Sequence, residues 1–228
     1  MRVLIIGSGG REHAIAWKLS QNEKVEKIYA APGNAGIDLL ENGESINLTD
    51  TDEILNFAQE NKIDLTLVGS EELLVKGIVD KFKEKNLRIF GPDMKAAMLE
   101  GSKVFSKKFM DKYGVKTGEY KSFSDSGEAL KYLEEIEYPV VVKASGLAAG
   151  KGVIIAQNKE EAQIAVREIM VDKKFNNAGD EVVIEEFLSG YEASILSFTD
   201  SKTILPMLAA KDHKKIGEGE TGLNTGGM

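Results

Sequence analysis

The sequence predicts an α/β fold: an N-terminal doubly wound parallel sheet, then a smaller α+β unit, then the first strands of a further region. Three observations predict it. Short β-branched runs alternate with apolar-periodic stretches over residues 1–92, and each run closes on a glycine-containing turn. Beyond residue 118 the rhythm changes, and two strands stand close together around a second, longer glycine loop.

Arg2–Ile6 is a strand, because an unbroken aliphatic run meets Gly7-Ser8-Gly9-Gly10, and His13–Leu19 then carries helical periodicity. Lys27–Ala31 is a second strand, stopped by Pro32-Gly33-Asn34-Ala35-Gly36. Asp52–Asn61 reads as a helix and Asp64–Val68 as a strand closing on Gly69-Ser70-Glu71. Leu74–Lys85 is helical, and Arg88–Phe90 is a strand ending at Gly91-Pro92. Lys95–Tyr113 reads as helical, inside a connector at 93–118. Glu119–Phe123 is a strand, Ser126–Glu137 a helix and Pro139–Ala144 a strand. The loop Gly146–Gly152 turns into the strand Val153–Ala156, which makes a hairpin and not another crossover. Lys159–Val171 is helical and Glu181–Leu188 a strand, closing a unit at 119–190. In 191–228, Ala193–Asp200 and Lys202–Ala210 read as strands before the Gly-rich KIGEGETGLNTGGM.

Composition narrows the function. Hydrophobic residues make up 42% and charged residues 29%, an ordinary globular balance. A formal net charge of −8 argues against a nucleic-acid partner, whose phosphates need Lys and Arg. It leaves room for a small phosphorylated ligand, since a nest of backbone N–H groups holds a phosphate locally. With no cysteine, disulfides, thiolate nucleophiles and Cys-based zinc sites are excluded. No window approaches a membrane-spanning length, and the apolar start MRVLIIGSGG is too short for a signal peptide, so a cytoplasmic protein without a membrane partner is expected.

The first glycine turn lies between a strand and a helix, where free N–H groups and the helix dipole favour an anion. A dinucleotide fold would need glycine at position 12, where Glu12 stands, and an acid near the end of the second strand, where Ala30-Ala31-Pro32 stands. Phosphate binding is the favoured reading, with NAD binding and a purely structural turn as alternatives. Arg11 is placed either to add a charge-assisted contact or to sit solvated at a helix start. His13 either faces the turn or packs in the first helical layer.

The second glycine loop is more informative. Lys143 directly follows the buried-type run Val140-Val141-Val142, and the small residues from Ala144 to Gly152 let a backbone loop close over a ligand. It is not a Walker A loop, because Gly152 stands where Ser or Thr would follow Lys151. A flexible hairpin tip is the alternative. In Glu181–Leu188 a strand end can offer backbone N–H and C=O to the Watson–Crick edge of adenine, an acid accepting from the amino group, with Glu192 placed for ribose hydroxyls. Alone, that motif reads as a strand ending in surface acids. With the lysine–glycine loop upstream it points to a nucleotide.

These residues, taken together, resemble the phosphoribosylamine–glycine ligase (glycinamide ribonucleotide synthetase) family of the ATP-grasp superfamily. The resemblance runs through VLIIGSGGREHAIAWKL, APGNAG, IDLTLVG, LRIFGP, LEGSKVFSKKFM, VVKASGLAAGKGVIIA, VVIEEFLSGYEAS and DHKK…NTGGM, in that order along the whole chain. It implies a pre-ATP-grasp domain at 1–92, an ATP-grasp lid at 119–190 and the start of an ATP-grasp core at 191–228. It also implies a reaction: ATP phosphorylates the carboxylate of glycine, and the amine of 5-phosphoribosylamine attacks the acyl phosphate. The products are glycinamide ribonucleotide, ADP and phosphate, in purine biosynthesis.

The resemblance assigns Lys103 and Lys143 to the ATP phosphates, with Gly150, Lys151 and Gly152 closing over them. It assigns Glu185, Phe187 and Leu188 to adenine and Glu192 to the ribose. Gly9, Gly10, Arg11 and Asn34, with Ser70 and Glu71, would face the phosphoribosylamine. Asp212, His213, Asn224 and Thr225 would line the glycine and product side, and Lys143, Asp212 and His213 are the catalytic candidates. No side-chain nucleophile is needed, since catalysis is positioning plus charge stabilisation on the transferring phosphoryl group, with Mg²⁺ or Mn²⁺ bridging the phosphates. A nucleotide-binding module without turnover, a sister ATP-grasp ligase for another carboxylate and an NAD-dependent oxidoreductase are the alternatives.

The sequence departs from the family pattern at Ser145, where Asp is usual, at Ser70 and Leu223, where Pro is usual, and at Lys211, where Gln is usual. In the family, NTGGM is followed by about as much chain again, including a Glu/Asn motif that ligates the metals. The chain is therefore expected to be truncated, to hold no complete metal site and to lack ligase activity alone.

Overall fold

Residues 1–190, 192–213, 215–219 and 221–224 are described by a computed structural model, without the side chains of Leu223 and Asn224. The chain divides into two compact units, Met1–Gly101 and Ser102–Met228.

In the first unit, β1 (Arg2–Gly7), β2 (Lys27–Pro32), β3 (Gly43–Ser45), β4 (Leu65–Val68) and β5 (Ile89–Phe90) pair in parallel in the order β3-β2-β1-β4-β5. The central strand β1 is covered on both faces, which is why it is an unbroken aliphatic run and not an alternating one. Leu4 and Ile6 pack with Ile54, Ile78 and Phe82, while Val3 and Ile5 pack with Ala16, Ile28 and Ile37. Apart from Ile28 of β2, those partners come from helices α1 (Gly10–Ser20) and α2 (Ala35–Asp38) on one face, and α3 (Thr51–Glu60) and α5 (Ile78–Glu84) on the other. Helices α4 (Glu71–Val75) and α6 (Met94–Gly101) complete the unit. Because the chain moves outward from β1 in both directions, a crevice forms beyond the C-terminal ends of β1 and β4.

Two elements differ from expectation. Strand β3 is three residues of mixed polarity, too short to show a period. The helix expected at 74–85 is two, because Gly77 takes φ +82, a left-handed value that ends α4 before α5 begins.

In the second unit, β6 (Tyr120–Phe123), β7 (Val140–Ala144), β8 (Val153–Ala156) and β9 (Val182–Glu186) form an antiparallel sheet in the order β6-β9-β7-β8. The hairpin expected around the glycine loop is β7–β8. Helices α7 (Lys103–Tyr113), α8 (Ser126–Tyr132) and α9 (Lys159–Val166) complete it, and α9 runs on into a π-turn at Arg167–Val171. Alternation along the strands decides which side chains are available for chemistry. Val140, Val142, Ala144, Val182 and Ile184 face a helical core that includes Leu133, Ala162 and Ile169. Glu185 pairs with Val141 on one side and Tyr120 on the other, so Lys143, two residues from Val141, shares the opposite face with Glu185 and Tyr120.

The helical connector expected over 95–113 consists of α6 and α7, divided at Ser102, whose hydroxyl accepts from the Phe105 N–H at 3.1 Å and starts α7. The helix expected to reach Glu137 stops at Tyr132. The strands expected at 193–200 and 202–210 contract to β10 (Ser197–Thr199) and β11 (Ile204–Pro206), extended by a bridge between Ser194 and Ala210. Within the expected Gly-rich tail, β12 (Lys215–Gly217) and β13 (Thr221–Asn224) pair antiparallel. Among the described residues no helix is long and apolar enough to cross a membrane.

Candidate functional site

Each unit carries its own cluster of predicted residues. In the first, the glycine turn after β1 is organised by Glu12, whose side chain is only 5% exposed. Glu12 folds back so that Oε2 accepts the Gly9 N–H at 2.7 Å and Oε1 accepts Arg11 Nε at 3.0 Å. A β-carbon at Gly7 or Gly9 would stand within 2.9 Å of Glu12, and one at Gly69 closer still. The three glycines therefore make room for a carboxylate, which takes an N–H that a dinucleotide turn would aim at phosphate. This is the physical reason Glu12 stands where a dinucleotide fingerprint has glycine.

Arg11 reaches across this turn, its Nη2 donating to the Gly69 carbonyl and to Glu71 Oε1, the latter at 2.9 Å. The hydrogen bond to Glu71 raises the guanidinium above its ordinary pKa against the opposing effect of burial, so Arg11 is a cation in every relevant condition. Asn34 Nδ2 donates to the carbonyls of Ser8 (3.0 Å) and Gly9 (3.3 Å), while Oδ1 accepts the Ile37 N–H and caps α2. A cleft of about 340 Å³ results, lined by Gly9, Arg11, Pro32, Ser70 and Glu71 among others. Gly10 begins α1 next to this cleft. His13 packs over Gly36, where a β-carbon would meet the imidazole, so of its two readings the packing one is found.

In the second unit, Glu185 lies between two lysines. Its Oε2 is 2.6 Å from Lys107 Nζ, and its Oε1 is ion-paired with Lys143 Nζ. Side-chain exposures of 9% for Lys107, 10% for Glu185 and 25% for Lys143 show that the pair on the α7 side is sheltered and that Lys143 is the more open end. Lys107 also donates to Thr117 Oγ1 at 2.6 Å and to the Gly118 carbonyl at 3.3 Å, with the Tyr120 ring 5.0 Å away. Burial draws its ammonium below the ordinary lysine pKa, and Asp111 and Glu186 push it back up. The resemblance places the Glu185 acid group at the adenine; in the structure both of its carboxylate oxygens face lysines.

Lys103 opens α7. Its backbone N–H donates to the Ser145 carbonyl at 2.8 Å and its Nζ to the Gly146 carbonyl at 3.2 Å. Ser145, 5% exposed, meets the Ser102 hydroxyl at 3.2 Å and accepts the Val104 N–H at 3.3 Å. Thus Lys103 is bonded to Ser145 and Gly146, which follow Lys143 by two and three residues at the base of the glycine loop. Within the loop Ala149 and Gly150 take left-handed φ values of 47 and 73, and Gly152 is buried against Ala148 and Ala144. Lys151 is exposed at its tip. Strand β9 ends at Glu186, leaving Phe187 and Leu188 exposed just beyond it.

Glu192 is exposed six residues past β9, and Asp212 and His213 lie between the Ser194–Ala210 bridge and β12. Asn224 closes β13, and Thr225 lies outside the described residues. Among the described residues no group of three or more His, Cys, Asp or Glu could hold a metal ion. Two residues of the site escape the sequence reading. Lys107 stands four residues after Lys103 on one helix, a spacing that puts both on one face. Glu12 registers in the sequence only as a missing glycine.

A parallel sheet with a glycine turn after its first strand, followed by an antiparallel sheet whose lysines flank a glycine loop, is the arrangement of an ATP-grasp protein. The chain belongs to the phosphoribosylglycinamide synthetase family: residues 1–100 match "Phosphoribosylglycinamide synthetase, N domain" and residues 101–228 match "Phosphoribosylglycinamide synthetase, ATP-grasp (A) domain". It is 67% identical over 228 residues to a phosphoribosylamine–glycine ligase of Fusobacterium nucleatum and 56% identical to one of Clostridium acetobutylicum, covering all of this chain and 54% and 55% of those proteins. It is similar to the crystal structure of the phosphoribosylamine–glycine ligase of Thermotoga maritima, at 32% identity and TM-score 0.83, covering all of this chain and 54% of that one. The chain spans about half the length of the relatives it matches.

Proposed function

We propose that this chain carries the ATP-binding and phosphoribosylamine-facing portions of a cytoplasmic phosphoribosylamine–glycine ligase, acting on small molecules and not on nucleic acid or membranes. ATP transfers its γ-phosphoryl group to the glycine carboxylate. The amine of 5-phosphoribosylamine then attacks the glycyl carbonyl and expels phosphate, leaving glycinamide ribonucleotide and ADP. The observation that carries this reading is the convergence of Lys103, Lys143 and the loop Gly146–Gly152 in a unit matched by the ATP-grasp model.

Lys143 and Lys103 offset phosphate charge from either side of the loop base, and the loop backbone closes over the phosphates through Gly150 and Gly152, with Lys151 at the rim. The backbone after Glu186, with Phe187 and Leu188, takes the adenine, and Glu192 the ribose. In the first unit, Gly9, Gly10, Arg11 and Asn34, with Ser70 and Glu71, take the phosphoribosylamine. Asp212, His213, Asn224 and Thr225 serve glycine and product. A divalent ion, Mg²⁺ or Mn²⁺, would further neutralise the phosphates when bound in the whole protein.

The test is ADP release by the whole protein supplied with ATP, glycine, 5-phosphoribosylamine and Mg²⁺. Release that requires both glycine and the phosphoribosylamine is expected. Release with another carboxylate in place of glycine would point to a sister ligase, and nucleotide binding with no release would point to a binding module.

A further inference from the structure

We infer that Lys107 is a positioning residue for nucleotide phosphate, acting through Glu185 to keep Lys143 available at the base of the glycine loop. The inference rests on the reading above, in which Lys143 meets the phosphates.

Lys143 and Glu185 share one sheet face and Lys107 meets Glu185 from α7, with Asp111 and Glu186 as further charges near Lys107. Were Glu185 and Lys143 alone there, they would form a neutral pair, and a phosphate would have to compete with the carboxylate for the ammonium. Lys107 changes that balance. It engages Oε2 while Lys143 engages Oε1, so Glu185 retains a cation when Lys143 turns to phosphate. The holding end is the sheltered one: Lys107 is tied to Thr117 Oγ1 and the Gly118 carbonyl, whereas Lys143 is the more exposed. Lys107 also sits one turn after Lys103 on α7, so a single helix sets both the Lys103 ammonium on Gly146 and the counter-charge for Glu185. Two hydrogen bonds to residues 117 and 118 thus hold the ammonium where it pairs in charge with Glu185 of β9.

The role shows itself in phosphate affinity and not in base affinity. Binding of ADP and of adenosine to the 228-residue chain is measured by equilibrium dialysis. The unsubstituted chain binds ADP more tightly than adenosine. Lys107→Met lowers ADP affinity about tenfold and leaves adenosine affinity within about twofold, as loss of one nearby charge at an effective dielectric of about 20 implies. Lys107→Arg, which keeps the charge, restores ADP affinity to within about threefold.

Equal losses for ADP and adenosine, no loss for either, or equal ADP affinities for the Met and Arg variants would overturn the inference and leave the nucleotide site standing. Equal affinities of the unsubstituted chain for ADP and adenosine would overturn the nucleotide reading and the inference with it. Should Lys107→Met fail to fold by circular dichroism, Thr117→Val, which removes one acceptor from the ammonium, replaces it. It is expected to reduce the ADP-to-adenosine affinity ratio about threefold, and an unchanged ratio rejects the inference.

Discussion

The Glu12 carboxylate and the Gly9 amide meet at 2.7 Å, and the space that carboxylate fills exists only because positions 7, 9 and 69 carry no β-carbon. The first turn is thus built around a protein carboxylate, and the cleft lined by Gly9, Arg11, Ser70 and Glu71 opens beside it.

Glu12→Ala leaves the Gly9 N–H and the Arg11 Nε without this partner and opens a void beneath three glycines. Urea unfolding is expected to show a loss of about 1–3 kcal/mol. Gly69→Ala drives a methyl into the same carboxylate and loses a comparable amount. The double variant should lose clearly less than the sum, since removing the Glu12 side chain removes the clash. Additive losses would mean that the two positions do not share the space.

Asp50 caps α3, and its carboxyl lies below the ordinary aspartate range, mainly through the N–H of Glu53 and then that of Asp52. A depressed folded-state pKa stabilises above the unfolded value and is lost as pH falls through the folded one. At pH 7, Asp50→Ala should melt a few degrees lower than the unsubstituted chain, and the gap should close below about pH 4. A gap that held constant into acid would rule out the charged cap.

At Gly77, φ is +82, and a β-carbon added there would find its nearest neighbour, Met94 Sδ, at 3.5 Å, so substitution meets backbone strain and not a clash. Gly77→Ala is expected to lose about 1–2 kcal/mol by chemical denaturation. No loss would imply that α4 and α5 tolerate a right-handed junction.

Ser145 joins the strand that carries Lys143 to the helix that opens with Lys103. Ser145→Ala should destabilise by about 1 kcal/mol and weaken ADP binding, while Ser145→Asp, the residue that the family resemblance leads one to expect there, should preserve both by accepting the same Val104 N–H at the start of α7. Calorimetric titration of both variants decides the point, and an Asp variant weaker than the Ala variant would contradict it.

Much of the fold is legible in the residues. The strands β1 and β7 are buried aliphatic runs, and such runs announce themselves. Strand β3 does not, since Gly43-Glu44-Ser45 is held by pairing to β2 and not by its own pattern. The breaks at Gly77 and Ser102 carry their signals, a glycine and a capping serine, but helical periodicity runs through both. Lys143 stands out because a lysine after three valines is conspicuous. Lys107 does not, because in Lys107-Lys108 a buried ammonium is written with the same letter as a solvated one. Its role needs the register that sets Glu185 opposite Val141, and local spacing cannot supply that.

The most direct test of the nucleotide site is calorimetric titration of the 228-residue chain with a non-hydrolysable ATP analogue, beside a Lys143→Met variant of unchanged circular dichroism. Saturable binding at one site, weakened at least about tenfold in the variant, is the predicted result. Failure of the unsubstituted chain to bind, or identical affinity in the variant, would contradict the account.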